Sequence, residues 1–190
     1  LLVDEGYEGR LHAPPATIDL CDILLRDSAH IQEGDAERLN KRRHPRGRRA
    51  ATALYGVTDV ERIMPQFHGT PYGKPIDIAP GVTITYHDAG HILGSAWVEL
   101  VAEDTESTGE RVTRTIVFSG DIGPYDAPML QDPVPPPACD ALILESTYGD
   151  RDHKDLGGTI EELVQILRGA RTPKGKVIIP SFAVGRTQQL

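Results

Sequence analysis

T-I-T-Y-H-D-A-G-H-I-L-G-S-A, residues 83–96, leads to V-F-S-G-D-I-G, residues 117–123, and the fold turns on how these two segments are read. Val82, Ile84 and Tyr86 alternate with Thr83 and Thr85, the period-2 pattern of a half-buried strand. That strand runs out in a glycine-preceded histidine, His91. Residues 95–102 and 112–119 read as two further strands, and D-T-E-S-T-G-E between them reads as the loop of an antiparallel hairpin. The second of these strands runs out in a glycine-preceded aspartate, Asp121. Loops at the ends of a rigid sheet are the usual place to present reactive side chains. Imidazole and carboxylate are both zinc ligands. A histidine beside glycine also serves as a turn residue, and an aspartate in G-D-I-G as a turn or cap. Agreement with other segments decides for a metal site that contains His91 and Asp121.

Outward from this stretch, residues 9–14 read as a short strand entering a turn, with His12 as a structural residue. Thr17 then suits an N-cap, and Leu20, Cys21, Leu24 and Leu25 form a helical stripe that ends near Ser28. Residues 30–41 predict a second, more polar helix, weakened by Gly34. Residues 41–49 (K-R-R-H-P-R-G-R-R) hold six of the chain's twenty Lys and Arg residues. Two readings are open there, a phosphate-binding loop and a solvated loop. No aromatic residue interleaves the charges, so base stacking is not indicated. Thr58–Glu61 has the S/T-x-x-E spacing of a capping box, predicting a helix to about Phe67 that Pro65 shortens. Residues 71–80 give a turn and a short strand.

Downstream, residues 124–138 contain six prolines and read as an extended surface crossing. D-A-L-I-L-E, residues 140–145, is a short apolar strand that ends at a third acid, Glu145. Thr159–Glu162 is a second capping box, followed by Leu163, Val164 and Leu167 at helical spacing. Residues 176–179 predict a strand, and P-S-F-A-V-G-R opens a helix. No internal repeat is present.

The 190 residues bound one domain, or one and part of another. Apolar content of 39% with 25% charged residues fits a globular protein. No apolar run approaches the ~20 residues that span a bilayer, and no signal peptide is expected. Cys21 and Cys139 form no C-x-x-C pair, which leaves two thiols and points to a reducing cytoplasm. A net charge of -8 argues against holding nucleic acid by bulk charge, though not against a polyanion gripped at a cleft charged by metal. The chain opens without methionine and closes inside a predicted helix, so it reads as a piece of a longer protein.

Four segments in order, H-D-A-G-H-I-L-G-S-A, F-S-G-D-I-G, L-E-S-T-Y-G-D-R and I-P-S-F-A-V-G-R-T-Q, resemble the β-CASP branch of the metallo-β-lactamase superfamily. They are similar in particular to prokaryotic relatives of the endonuclease subunit of the pre-mRNA cleavage and polyadenylation factor. P-P-A-T at residues 14–17 and D-S-A-H-I-Q-E-G-D-A-E extend the likeness over essentially the whole chain. The resemblance implies an α/β fold, a four-layer αβ/βα sandwich with an inserted α/β domain. On that division residues 1–150 belong to the metallo-β-lactamase domain and 151–190 begin the β-CASP domain. It implies two Zn2+ ions, with His91 on one and Asp121 bridging both. Glu145 matches the acid that orients a later catalytic histidine.

The family's H-x-H-x-D-H motif is expected upstream of Leu1, and its later histidines beyond Leu190. His87 stands four residues before His91, but the match assigns the ligand to His91, leaving His87 structural. Asp88 is a candidate partner for the outer nitrogen of His91, with a turn role the open alternative. Ser181 and Arg186 are candidate phosphate contacts, against a helix cap with a surface arginine. The implied activity is a zinc-dependent RNA phosphodiesterase acting in RNA processing or decay. Single-stranded RNA is the implied partner, with a homodimer left open and no membrane. Two other readings stand beside it: a different hydrolase of the same fold, acting on a thioester or lactam, and an inactive scaffold subunit.

Overall fold

The computed structural model describes residues 5–42, 50–152, 155–171 and 175–189. Most of the basic stretch, residues 43–49, lies outside them. The chain divides into two compact units, Leu1–Ile143 and Leu144–Leu190.

The first unit opens with strand β1 (Leu11–Ala13) and helix α1 (Pro15–Arg42). Proline suits the first helical position, where its fixed φ is already helical and its missing N–H would have no partner. The sequence predicts two helices here; a single helix of 28 residues forms instead. A glycine inside a helix costs about 1 kcal/mol relative to alanine, and docking offsets it at Gly34. Leu54 N–H donates to Gln32 Oε1 (3.2 Å), and Val57 N–H donates to Glu33 Oε1 (3.3 Å). Asn40 and the Ala51 backbone exchange two bonds of 2.8 Å. Along the helix, Arg26 pairs with Asp22 at 2.7 Å and Lys41 with Glu37 at 3.3 Å.

Helix α2 (Val57–Ile63) passes through one 3-10 turn (Met64–Gln66) into β2 (Phe67–Gly69). Its start lies before the predicted Thr58. Gly56 N–H donates to Asp59 Oδ2 at 2.9 Å, so Asp59 rather than Glu61 closes the cap. Strand β2 runs parallel to β1, pairing Leu11 with Phe67, His12 with His68 and Ala13 with Gly69. Neither its existence nor its partner is predicted, because three residues are too few to show an alternation.

The main sheet has the order β3-β4-β5-β6-β7. Its strands are β3 (Ile76–Ala79), β4 (Val82–Asp88), β5 (Ala96–Thr105), β6 (Arg111–Phe118) and β7 (Ala141–Ile143). All neighbours are antiparallel except β6 and β7, which are parallel. The predicted hairpin is β5–β6. The parallel step needs the long crossing at residues 124–140. Asp140 fixes its landing: its Oδ2 accepts Thr115 N–H at 2.7 Å, and Arg114 lies 3.3 Å from Oδ1. The Thr115 bond, reinforced by Arg114, holds the Asp140 carboxyl below its ordinary pKa.

The core under this sheet is Ala89, Trp97 and Val117, with Cys139 packed against it. Trp97 is 3% exposed, and its indole N–H donates to the Val134 carbonyl at 2.8 Å, tying the proline-rich crossing to the sheet. Its cross-strand partner is His87. The two rings stack at 3.9 Å, and His87 Nε2 lies 2.9 Å from Glu99 Oε2. His87 is thus a sheet residue, and its ring is engaged on both counts.

The second unit contains α3 (Leu156–Arg171) and the short α4 (Arg186–Gln189). Helix α3 starts before the predicted Thr159 cap. Asp155 Oδ1 accepts Gly158 N–H at 2.8 Å, and the Asp155 carbonyl accepts the Thr159 hydroxyl at 2.9 Å. The strand predicted at residues 176–179 does not form among the described residues, and Ile178 is 88% exposed. A strand requires a neighbour to satisfy its N–H and C=O groups, and no ladder reaches this segment.

The Trp97 anchor yields a test. Trp97→Ala removes a stacked, hydrogen-bonded indole from the core, and the expected loss is about 3–5 kcal/mol of unfolding free energy. Urea titration followed by circular dichroism reads it, and a loss below about 1 kcal/mol would show that the sheet does not lean on this residue.

Candidate functional site

Strands β4 and β6 flank β5, so their ends are about 10 Å apart across two inter-strand steps. The loops that leave them nevertheless touch. Gly123 N–H donates to the Ala89 carbonyl at 2.8 Å. A Cβ at Gly123 would fall inside the van der Waals radius of the Gly90 carbonyl and 2.7 Å from His91 N. Only glycine allows this approach. The loop that bears Asp121 therefore lies directly on the loop that bears His91, over the start of β5.

The His91 loop is closed at its base by Ser95. Ser95 Oγ accepts the N–H of His91 (3.0 Å) and of Ile92 (3.2 Å). Ser95 N–H donates to the Ile92 carbonyl at 2.9 Å, and the Ser95 carbonyl accepts Ala89 N–H at 3.2 Å. The Tyr72 hydroxyl donates to that same carbonyl at 2.8 Å. Burial, with the negative charge of Asp88 nearby, pushes the Tyr72 phenol up to about 12. Asp88 Oδ1 accepts Gly90 N–H at 2.8 Å, a local turn bond. The Asp88 carbonyl accepts Val134 N–H at 3.0 Å. Gly90 adopts φ +65°, and a side chain there would strike Pro133 and the Gln131 carbonyl. Ala89 is fully buried while His91 is exposed. One residue is a plug and the next but one is a projection.

The Asp121 loop is held from the other side. Ser119 N–H donates to the Ile143 carbonyl at 2.9 Å, and its hydroxyl donates to the Gly120 carbonyl at 2.7 Å. Ser119 is buried, and Asp121 is exposed. Both expected ligands thus stand at the same sheet edge with their side chains open to solvent. Their chemistry fits zinc, one neutral nitrogen donor and one carboxylate. Their number does not complete a site: among the described residues no group of three or more His, Cys, Asp or Glu is placed to hold an ion. Asp88 serves the turn through Gly90. Ser95 and Tyr72 were not read from the sequence. The G-S pair inside the opening stretch is the one signal that pointed to Ser95.

In the second unit Glu145 is half-buried, followed by a turn in which Gly149 N–H donates to the Ser146 carbonyl at 3.0 Å. Arg151 pairs with Asp150 at 2.9 Å and lies over the Tyr148 ring. Ser181 and Arg186 line one shallow cavity of about 250 Å3 with Pro180 and Phe182. Gly185 N–H, at the start of α4, is taken by Gln188 Oε1 at 2.7 Å. That leaves Arg186 and the Ser181 hydroxyl as the polar side chains facing the cavity.

The chain is 32% identical over 189 residues to a ribonuclease of Thermus thermophilus, covering 100% of this chain and 37% of that protein. It is 30% identical to the transcription termination factor FttA of Methanococcus maripaludis, over 97% of this chain and 26% of the factor. FttA of Methanothermobacter thermautotrophicus gives the same 30% identity and 26% share of its length. The chain thus spans between about a quarter and two fifths of these relatives. No family model matches it.

Two outcomes follow from the loop geometry. Gly123→Ala forces the two loops apart, at an expected cost of about 1–3 kcal/mol. It should also shift the backbone amide resonance of His91; unchanged stability and an unmoved resonance would rule out the close approach. For Tyr72 the sign is set by a phenol whose folded pKa is raised above its unfolded value. Its contribution is intact below pH about 10 and is lost as pH climbs towards about 12. An absorbance titration should show a phenolate step near pH 12 that Tyr72→Phe removes, with a shallower alkaline loss of stability.

Proposed function

We infer that this chain is part of a metal-dependent RNA phosphodiesterase of the β-CASP branch of the metallo-β-lactamase superfamily. The observation that carries the reading is the backbone contact between the loop that bears His91 and the loop that bears Asp121. Similarity to a ribonuclease along the whole chain supports RNA as the substrate class. On this reading the first unit contributes to the αβ/βα sandwich, and the second begins the inserted domain.

His91 and Asp121 would hold zinc, His91 through a ring nitrogen and Asp121 through its carboxylate. Zinc so bound would polarise the scissile phosphate and make hydroxide available near neutral pH. The remaining roles fall to the chain's own residues. Ser95 fixes the height of the His91 loop by accepting two successive N–H groups. Asp88 and Gly90 set the turn that carries the ring outward. Arg186, with Ser181, would grip a phosphate of the RNA backbone by charge-assisted hydrogen bonds. Glu145 would orient a histidine that protonates the leaving oxygen. The chain carries −8 overall, so RNA is held through such local contacts rather than by its net field. The likeness to FttA favours a second, compatible reading in which RNA cleavage serves termination of transcription.

The test is an RNA cleavage assay on the protein extended to the length of its relatives. Cleavage should stop on chelation and return with Zn2+. Asp121→Asn and His91→Ala should each depress it by more than the roughly 10–100-fold typical of changes one shell removed from a metal. Cleavage that survives chelation and both substitutions would refute the reading. The 190 residues alone should neither cleave RNA nor hold zinc tightly at His91 and Asp121.

A further inference from the structure

Two histidines outside the His91–Asp121 locus face one another across the small sheet. His12 on β1 and His68 on β2 are register partners. Register partners on neighbouring strands project to the same face. Their ring centres are 6.0 Å apart, with the planes tilted by 48°. Both residues are half-buried.

Each ring is already anchored through its inner nitrogen. His68 Nδ1 lies 3.0 Å from the Gln66 carbonyl oxygen. A carbonyl can only accept, so in the neutral ring Nδ1 keeps the proton and Nε2 keeps the lone pair. His12 Nδ1 lies 3.4 Å from Thr70 Oγ1, a hydroxyl able to accept in the same sense. Thr70 is buried, and its N–H is fixed on the Ala13 carbonyl at 2.8 Å. The Tyr86 hydroxyl donates to the His12 carbonyl at 2.8 Å and pins the β1 backbone. A neutral imidazole whose inner nitrogen donates to a fixed oxygen is the usual state of a metal-bound histidine. Two imidazoles that share a tetrahedral ion at Zn–N distances of about 2.0–2.1 Å have ring centres about 5 Å apart, so the pair must close by about 1 Å from its 6.0 Å separation to share one.

We propose that His12 and His68 form a two-imidazole site for a divalent transition ion, held through both Nε2 atoms, with water completing the coordination. Gln66 and Thr70 are its positioning residues. No group of three or more His, Cys, Asp or Glu able to hold an ion occurs among the described residues, so the ion keeps exchangeable positions. Imidazole donors select copper, nickel and zinc over magnesium and calcium. Within the first row the order runs to copper and nickel ahead of manganese. The site stands on β1 and β2 and does not depend on the roles assigned to His91 and Asp121.

The probe is Ni2+ alone, titrated calorimetrically into a His91→Ala/Asp121→Asn background so that the other locus is silent. Heat of binding should persist in that background and disappear on adding His68→Ala or His12→Ala. It should survive His87→Ala, whose ring stacks on Trp97. Thr70→Val should weaken binding by about tenfold, as expected for loss of an outer hydrogen bond. Mg2+ should give no heat. Heat that is unaltered by both His12→Ala and His68→Ala overturns the site. Should those variants unfold, the unsubstituted chain decides. Bound Ni2+ should shield His12 and His68 from carbethoxylation, and equal modification with and without Ni2+ overturns the proposal.

Discussion

A single backbone bond, Gly123 N–H to the Ala89 carbonyl, does what the sheet alone cannot. Hydrogen-bonded strands stand about 4.8 Å apart, so β4 and β6 are kept from one another by β5. Side chains carried straight off the ends of β4 and β6 would remain on separate rows. The bond brings the two loops into contact beyond the strand ends, at Gly90 and His91. It is possible because residue 123 has no Cβ, and because the buried methyl of Ala89 lets the lower loop sink into the core. The contact is therefore fixed by two small residues placed beside, not at, His91 and Asp121.

The loop carrying His91 is further restrained from three directions. Ser95 closes it from below, Asp88 sets its turn, and the proline-rich crossing lies along its side through Val134 and Pro133. Trp97 locks that crossing to the core through Val134. These restraints explain why two histidines four residues apart meet different fates. His87 is still inside the β4–β5 ladder and stacks on its cross-strand partner. His91 lies beyond the ladder, where the backbone has turned outward and the ring is exposed. The register of one hairpin thus separates a packing histidine from one available for chemistry.

Much of this architecture was legible in the sequence because it is written as alternation. Strands β4, β5 and β6 show the period of two, and their turns are marked by glycine and by polar runs. The loop-to-loop contact was not legible. It depends on a glycine at position 123 meeting a carbonyl more than thirty residues earlier, and no local pattern encodes that meeting. The continuity of α1 was missed for a related reason. Gly34 and the polar face around it argue locally for a break, while Asn40, Gln32 and Glu33 are held from outside by residues 51–57. The opposite error occurred at residues 176–179, where β-prone composition had no ladder to join. Helix starts were misplaced by a few residues: Gly56 heads the first cap and Asp59 closes it in place of Glu61, and Asp155 takes the capping role assigned to Thr159. Local propensity names the kind of element, and tertiary partners decide where it stops.

The bonds that shape the His91 and Asp121 loops include those made by backbone groups and by the side chains of Asp88, Ser95, Ser119 and Tyr72. In small metal-dependent domains the binding energy of the ion is also the folding energy, because no site exists beforehand. Here the two loops are held by hydrogen bonds between the chain's own groups. His91 and Asp121 are exposed while Ala89 and Ser119, two residues before each, are buried, so each loop is supported underneath and open above.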